Sequence, residues 1–306
     1  MTHISLHDRA QIETFLRKKP HLHLYEIGDL DDRFWPHTAW YGSESGTGLD
    51  AIALLYTGSM LPTLLALADD INATAALLRS IRHILPARFY AHLSPDLESI
   101  LHEAYDSKPG GEHFKMVLTD TKPLAGKGDA QVVRLGEPDL AEVTALYAES
   151  YPGNWFDPRM LATKQYFGIR ENGRLVSIAG VHVYSPHYKA AALGNITTLP
   201  QCRGKGCCAR VTAELCRSLL AEGLNIGLNV KCDNAAAIAC YRKLGFEVVA
   251  SYNEFTFQIC RKGNIDPPEW HGSVLKDRQK ACNEGKIAAS DWQQAKKTIK
   301  KNLGCE

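Results

Sequence analysis

Residues 197–216 read TTLPQCRGKGCCARVTAELC, and this stretch restricts the fold more than any other. A β-branched run ends at Pro200, and Gly204 and Gly206 follow among Arg203 and Lys205. The chain then takes up helical spacing, with Val211, Leu215 and Leu219 on one stripe. A helix start leaves its first amide N–H groups without partners, and the helix dipole makes that end positive. Glycines let the backbone approach an anion closely, so this turn reads as a cradle for a diphosphate, with Arg203 and Lys205 adding charge. The spacing is neither that of a Walker A loop nor that of the dinucleotide fingerprint. In the plainer reading these residues form a surface turn with solvated basic side chains.

A second motif, DNAAAIACYRKLGF, occupies 233–246. At about 100° per residue Asn234 and Tyr241 fall on one helix face, roughly 10 Å apart along the axis. Ala237, small and on the same face, leaves room for a thin ligand to run along the helix. Taken singly, Asn234 reads as a helix cap and Tyr241 as a core residue. Gly245 stands where a helix C-cap belongs.

The rest of the chain alternates strands and helices. Helices are expected over 5–18 and over 70–85, where Ile71, Ala75, Leu78, Ile81 and Leu85 recur at helical spacing. Strands are expected near 38–42, 50–57, 61–67, 88–94 and 113–119, and TKPLAGKGDA reads as a linker. A second unit opens with QVVRL and a helix carrying Leu140, Val143 and Tyr147 on one face. FGIREN, RLVSIAGVHVYS and AAALGNITTLP follow as strands, the first two joined by the hairpin signal Asn172-Gly173. After the glycine turn and a helix over 206–222 come the strand NIGLNVKC, the helix NAAAIACYRKL, and two strands in FEVVASYNEFTFQIC.

With 306 residues, 45% of them hydrophobic, the chain can build two domains with a large core. The division reads as 1–124, 129–263 and a tail 264–306, and the similar rhythm of the first two units suggests an old duplication. A net charge of +1 argues against a dedicated nucleic-acid partner. The N-terminus lacks the apolar core of a signal peptide. The most apolar run, DAIALLYTGSMLPTLLALADD, is broken by Gly58, Ser59 and Pro62 and reads as two strands, not a membrane span. Nine cysteines without framework spacing or CxxC indicate free thiols in a reducing cytoplasm and no metal site.

Together, RGKGCC at Arg203–Cys208 and NAAAIACYRKLGF at Asn234–Phe246 resemble the GNAT acyltransferase superfamily, over about 131–258. The first half and the phrase AGVHVYSPHYKAAALGNITTLP are similar to its two-domain, glycine-N-acyltransferase-like branch. The resemblance implies an α/β (α+β) fold: a mixed sheet flanked by helices, preceded by a degenerate GNAT-like domain and followed by a short helical tail. It implies acyl transfer from acetyl-CoA, or another acyl-CoA, to a small-molecule or peptide amine by direct attack, with no metal.

By the same resemblance the backbone of Arg203, Gly204, Lys205, Gly206, Cys207, Cys208 and Ala209 holds the diphosphate. The family usually has Gly or Ala where this chain has Cys208. Thr198 and Asn234 would bond the pantetheine arm, with Ala237 beside it. Tyr241 would protonate the departing thiolate, its ordinary pKa of about 10 lying above the thiol's value of about 8.5. Many relatives carry a carboxylate base on the fourth strand, where this chain has LGNITT and Asn195, whose amide cannot act as a base. His182 on the third strand is the nearest group able to take a proton; a water chain or an already neutral amine would replace it.

Cys202, Cys207 and Cys208 also invite a nucleophile reading, since a helix N-terminus lowers thiol pKa values, but no His or acid adjoins them in sequence. The first half has neither motif, so it is expected to carry no cofactor of its own, packing on the catalytic half and shaping the acceptor pocket. Trp35 and Trp40 either line that pocket or pack in a core. The tail from 271 to 306 carries eight Lys/Arg against four Asp/Glu. It faintly resembles helical segments of addiction-module components, or serves as an amphipathic extension for self-association or partner docking. The rival to an enzyme is an acyl-CoA-binding regulator acting through a partner of that basic tail; a toxin-like enzyme acylating charged tRNA draws only on the tail.

Overall fold

A computed structural model of the protein describes residues 3–46, 48–125 and 128–260, so the tail 264–306 lies outside the described residues. The first half runs β1 (Ile4–Leu6), α1 (Arg9–Leu16), α2 (Leu24–Gly28), β2 (Thr38–Ser45), β3 (Gly48–Tyr56), β4 (Thr63–Ala66), α3 (Ile71–Ile81), β5 (Arg88–Leu93), α4 (Glu98–Leu101) and β6 (Tyr105–Leu118). The second half repeats the plan: β7 (Val132–Leu135), α5 (Leu140–Ser150), a 3-10 segment (Pro158–Thr163), β8 (Tyr166–Glu171), β9 (Arg174–Ser185), β10 (Ala190–Thr198), α6 (Cys207–Ala221), β11 (Asn225–Lys231), α7 (Ala235–Lys243) and β12 (Phe246–Ile259).

Among the described residues the strands join one twelve-stranded mixed sheet in the order β1-β2-β3-β4-β5-β12-β6-β11-β10-β9-β8-β7. The two halves exchange their last strands. β6 of the first half pairs antiparallel with β11, placing Lys115 opposite Asn229, and β12 pairs antiparallel with β5, placing Glu254 opposite His92. At the centre β6 and β12 pair with each other from Phe246↔Leu118 to Ile259↔Tyr105. Helices flank this sheet, as the sequence pattern requires.

Three details depart from the sequence reading. FEVVASYNEFTFQIC is one strand, not two: a register shift at Val248/Ala250 absorbs the exposed Glu247–Val249 without breaking the ladder. The segment 5–18 is a short strand followed by a shorter helix, capped where Asp8 accepts from the amides of Ala10 and Gln11. Helix α2 has too few residues to show a periodic stripe.

Elsewhere local chemistry does what the sequence indicates. Asn172 and Gly173 both have positive φ, 52° and 78°, the requirement of a tight hairpin. Gly245 ends α7 at φ 95°, and a Cβ there would lie 1.8 Å from the Asp120 carbonyl oxygen. Gly245→Ala is therefore expected to cost about 2–4 kcal/mol, from left-handed strain plus a backbone clash. A lower urea midpoint at unchanged m-value will report it.

The second half closes over a core containing Val143, Tyr147, Ile178, Val211, Leu215 and Leu219. In the first half Trp40, 3% exposed, packs with Leu6, Ile12 and Leu54, and Trp35 stacks on it with ring centroids 6.4 Å apart. Trp40 is thus a core residue, and Trp35, half-buried, packs against that core. Among the described residues no helix is long and apolar enough to cross a membrane.

Candidate active site

Helix α6 starts at Gly206, which has φ 80° and gives no side-chain cap, and Gly204 before it has φ 78°. Backbone of this shape is open to glycine at little strain, and it turns successive amides toward the same side. The amides at the start of α6 consequently lack intrahelical partners and form a cradle fit for an anion. The matching helix in the first half, α3, is closed: the carboxylate of Asp70 accepts from the amides of Asn72 (2.8 Å) and Ala73 (3.0 Å). One half offers bare amides where the other has a built-in anion.

Arg203 and Lys205 are both exposed. Arg203 Nε donates to the Thr198 carbonyl at 3.2 Å, and Lys205 Nζ lies 3.6 Å from Glu171. Cys207 is buried beneath the turn. The Sγ of Cys208 lies 3.9 Å from that of Cys240 on α7. That contact, with burial, pushes the Cys208 thiol up, while burial and the charge of Glu171 raise that of Cys202. Neither environment lowers the thiol's pKa, as an activated nucleophile requires.

Above the turn, the parallel pair β10–β11 is joined only from Ala190↔Asn225 to Leu193↔Leu228. Beyond that point β10 breaks register against β9 between Gly194 and Thr197, with Asn195 at φ 55°. A bulge bends its strand, and here it turns β10 away from β11. Asn195, 3% exposed, pins the bulge. Its Nδ2 donates to the Tyr166 hydroxyl at 3.2 Å, and its carbonyl accepts from the Tyr147 hydroxyl at 2.8 Å. Asn195 therefore shapes the opening between strands. Thr198 lies on the opened stretch, its hydroxyl 2.8 Å from that of Ser177. In the first half β4 stays paired with β5 along its whole length, from Thr63↔Tyr90 to Ala66↔Leu93.

Asn234 Oδ1 accepts from the Ala237 amide at 3.2 Å, so Asn234 is the cap of α7. Tyr241, 7% exposed, sits two turns on with its ring 6.0 Å from Phe246. Burial pushes its phenol well above the ordinary range, so it stays protonated at neutral pH. The ring of His182 lies over Gly194, where a Cβ would come within 2.3 Å of it. Its Nε2 is buried without a hydrogen-bond partner, and burial lowers its pKa, opposed by the neighbouring Asn195 amide and the charge of Glu254. A neutral imidazole with a free nitrogen is able to accept a proton.

The exchange of strands assembles a further group that sequence reading missed. The Glu254 carboxylate on β12 accepts from the hydroxyls of Tyr252, at 2.8 Å, and Tyr90 on β5. The Nε2 atoms of His92 and His113 each lie 3.4 Å from it. Next to this group Lys115, 3% exposed, holds its ammonium over the rings of Tyr25 and Tyr252 at 4.8 and 5.6 Å. Tyr25 and Tyr151 lie within electrostatic reach of both Glu254 and Tyr241. Among the described residues no group of three or more His, Cys, Asp or Glu is placed to hold a metal ion.

The comparisons with known proteins agree with this fold. A GNAT-family protein from Novosphingobium aromaticivorans has TM-score 0.51 at 21% identity, covering 71% of this chain and 91% of its own. A Drosophila protein reaches TM-score 0.63 at 13% identity, covering 84% and 98%. A tandem GNAT protein from the clavulanic acid biosynthesis pathway gives TM-score 0.52 at 17% identity, covering 83% and 97%. No curated protein matches the chain. Residues 140–246 match the model of the acetyltransferase (GNAT) family, and the opened strands, the glycine turn and the Asn234–Tyr241 helix fall within that matched stretch, on a fold like that of the GNAT structures above.

Proposed function

We propose that the protein is an acyl-CoA-dependent N-acyltransferase, with acetyl as the default acyl group and a primary amine as acceptor. The observation that carries this reading is the opening of β10 from β11 directly above a helix start with bare amides. The amides from Gly204 to Ala209 suit the diphosphate, and the edge of β10 at Thr198, unpaired with β11, offers backbone pairing to an extended pantetheine arm. Asn234 keeps its Nδ2 for the same arm while Oδ1 caps the helix.

The amine is proposed to enter from the side of His182, lose a proton to that imidazole and attack the thioester carbonyl. When the carbon–sulfur bond breaks, Tyr241 supplies a proton to the thiolate. A buried phenol in a largely apolar setting is a weak acid at rest, and the nascent thiolate is the base that draws its proton.

Tyr241→Phe is expected to lower kcat about 100-fold or more with little change in acetyl-CoA affinity. Thiol release with a panel of amines and calorimetry with acetyl-CoA will test this. No heat from acetyl-CoA with folded protein would end the reading, and wild-type turnover in Tyr241→Phe would remove the acid role. Residues 1–124 and 129–263 are further proposed to be two copies of one domain, the first of which has no cofactor because Asp70 occupies its helix start.

A further inference from the structure

The strongest unexplained feature is the Glu254 carboxylate. Its side chain is 13% exposed, and the ion-pair partners within 4 Å are the histidines His92 and His113. Burial pushes His92 down to about 4, so that imidazole is neutral at physiological pH, and the nearby Lys115 ammonium is shared among Glu26, Asp29 and Glu254. A buried carboxylate that must share one cation with two other acids still gains from a cationic ligand of its own. Two hydroxyls donate to it, and the imidazoles at 3.4 Å are too long for good hydrogen bonds, so acceptor capacity remains. His92 Nδ1 beside it and Asn229 Oδ1 in the opened part of β11 are also buried without partners.

Position then decides what the carboxylate can touch. β12 is separated from β11 by β6 alone, so Glu254 stands two strand spacings, roughly 10 Å, from the strand that borders the opening. The polar wall between them is continuous. Asn229 is opposite Lys115, and His113, two residues before Lys115, is opposite Tyr252, two before Glu254. A nitrogen attacking between β10 and β11 is not the group that Glu254 holds; a second nitrogen, a few methylenes away, is. The wall does not favour a carboxylate in that place, because the Glu254 carboxyl group stands there and the Lys115 ammonium is already shared among Glu26, Asp29 and Glu254.

We infer that Glu254 is the recognition site for a second, protonated nitrogen of the acceptor, which makes the acceptor class a short aliphatic diamine. This rests on the transferase reading for the reacting nitrogen. The chemistry balances as one amide formed, one carbon–sulfur bond broken, one proton to the thiolate and one to solvent, while the ammonium at Glu254 keeps its protons throughout.

The test uses the full chain, acetyl-CoA and thiol release, with 1,4-diaminobutane, 1,3-diaminopropane, butylamine, propylamine and glycine. Each diamine is expected to exceed its matched monoamine at least ~10-fold in kcat/KM, mainly through KM, as a charge-assisted hydrogen bond requires. Glu254→Gln should bring that ratio to about one; a ratio taken within one variant is insensitive to partial loss of folded protein. A wild-type ratio near one, a preference for glycine, or a ratio unchanged in Glu254→Gln overturns the inference. Calorimetric titration of 1,4-diaminobutane and of butylamine into wild type with CoA present tests it without turnover. Heat from the diamine alone supports it, and no heat from the diamine ends it. Diamine heat without thiol release sinks the transferase reading and leaves the Glu254 site standing.

Discussion

Replacing Gly206 by aspartate will lower acetyl-CoA affinity at least ~100-fold while the protein stays folded. The basis is the contrast between two equivalent helix starts. At α3 the Asp70 carboxylate takes the amides of Asn72 and Ala73, with Asp70 at φ −123°. At α6 the same position is Gly206 at φ 80°, and the amides are left for a ligand. An aspartate there puts a negative charge where the diphosphate needs a positive field, and competes for the same donors. Left-handed strain of roughly 1–2 kcal/mol is offset by a cap worth about 1 kcal/mol, so stability changes little. Calorimetry with acetyl-CoA and a thermal melt separate the two effects. Undiminished affinity in a well-folded variant would show that the ligand is held elsewhere.

The second large effect is expected from cutting the chain at the linker. Residues 129–263 expressed alone will not form a stable fold, although they contain the whole region matched by the family model. Within the described residues β12 pairs only with β5 and β6, and both are lost with the first half. Phe255 and Phe257, which pack with Leu77, Phe89 and Tyr105, would face water. β11 would also lose the partner that covers its outer edge. A long unpaired strand with buried aromatics exposed is an aggregation hazard. Co-expression with residues 1–124 should return soluble material with a cooperative melt. A monomeric fragment that melts cooperatively by itself would refute the argument.

Much of the second half was readable because its signals are local. Asn172-Gly173, the glycines at 204 and 206, the cap at Asn234 and the stop at Gly245 each act within a few residues. The apolar stripe of α6 has the helical period, and Val211, Leu215 and Leu219 are each 0% exposed. The exchange of β6 and β12 was not readable, because ladder partners such as Glu254 and His92 are remote in the chain. The same holds for the group around Glu254. In YNEFTF the glutamate looks like an ordinary outward residue of an alternating strand, and only pairing with β5 and β6 brings Tyr90, His92 and His113 to it. Asn195 was noticed for the acid it lacks, whereas its structural task follows from a left-handed backbone that no pattern announces.

The crossed ends of the two halves also bear on how the polypeptide is made. Tandem copies that each close on themselves can fold in turn as they leave the ribosome. Here β5 waits for β12, whose last residue is Ile259, before its outer edge is covered. Until then the nascent first half carries an uncovered strand edge. Translation through the second half is thus a window in which a chaperone or a neighbouring nascent chain competes with the chain's own closing strand.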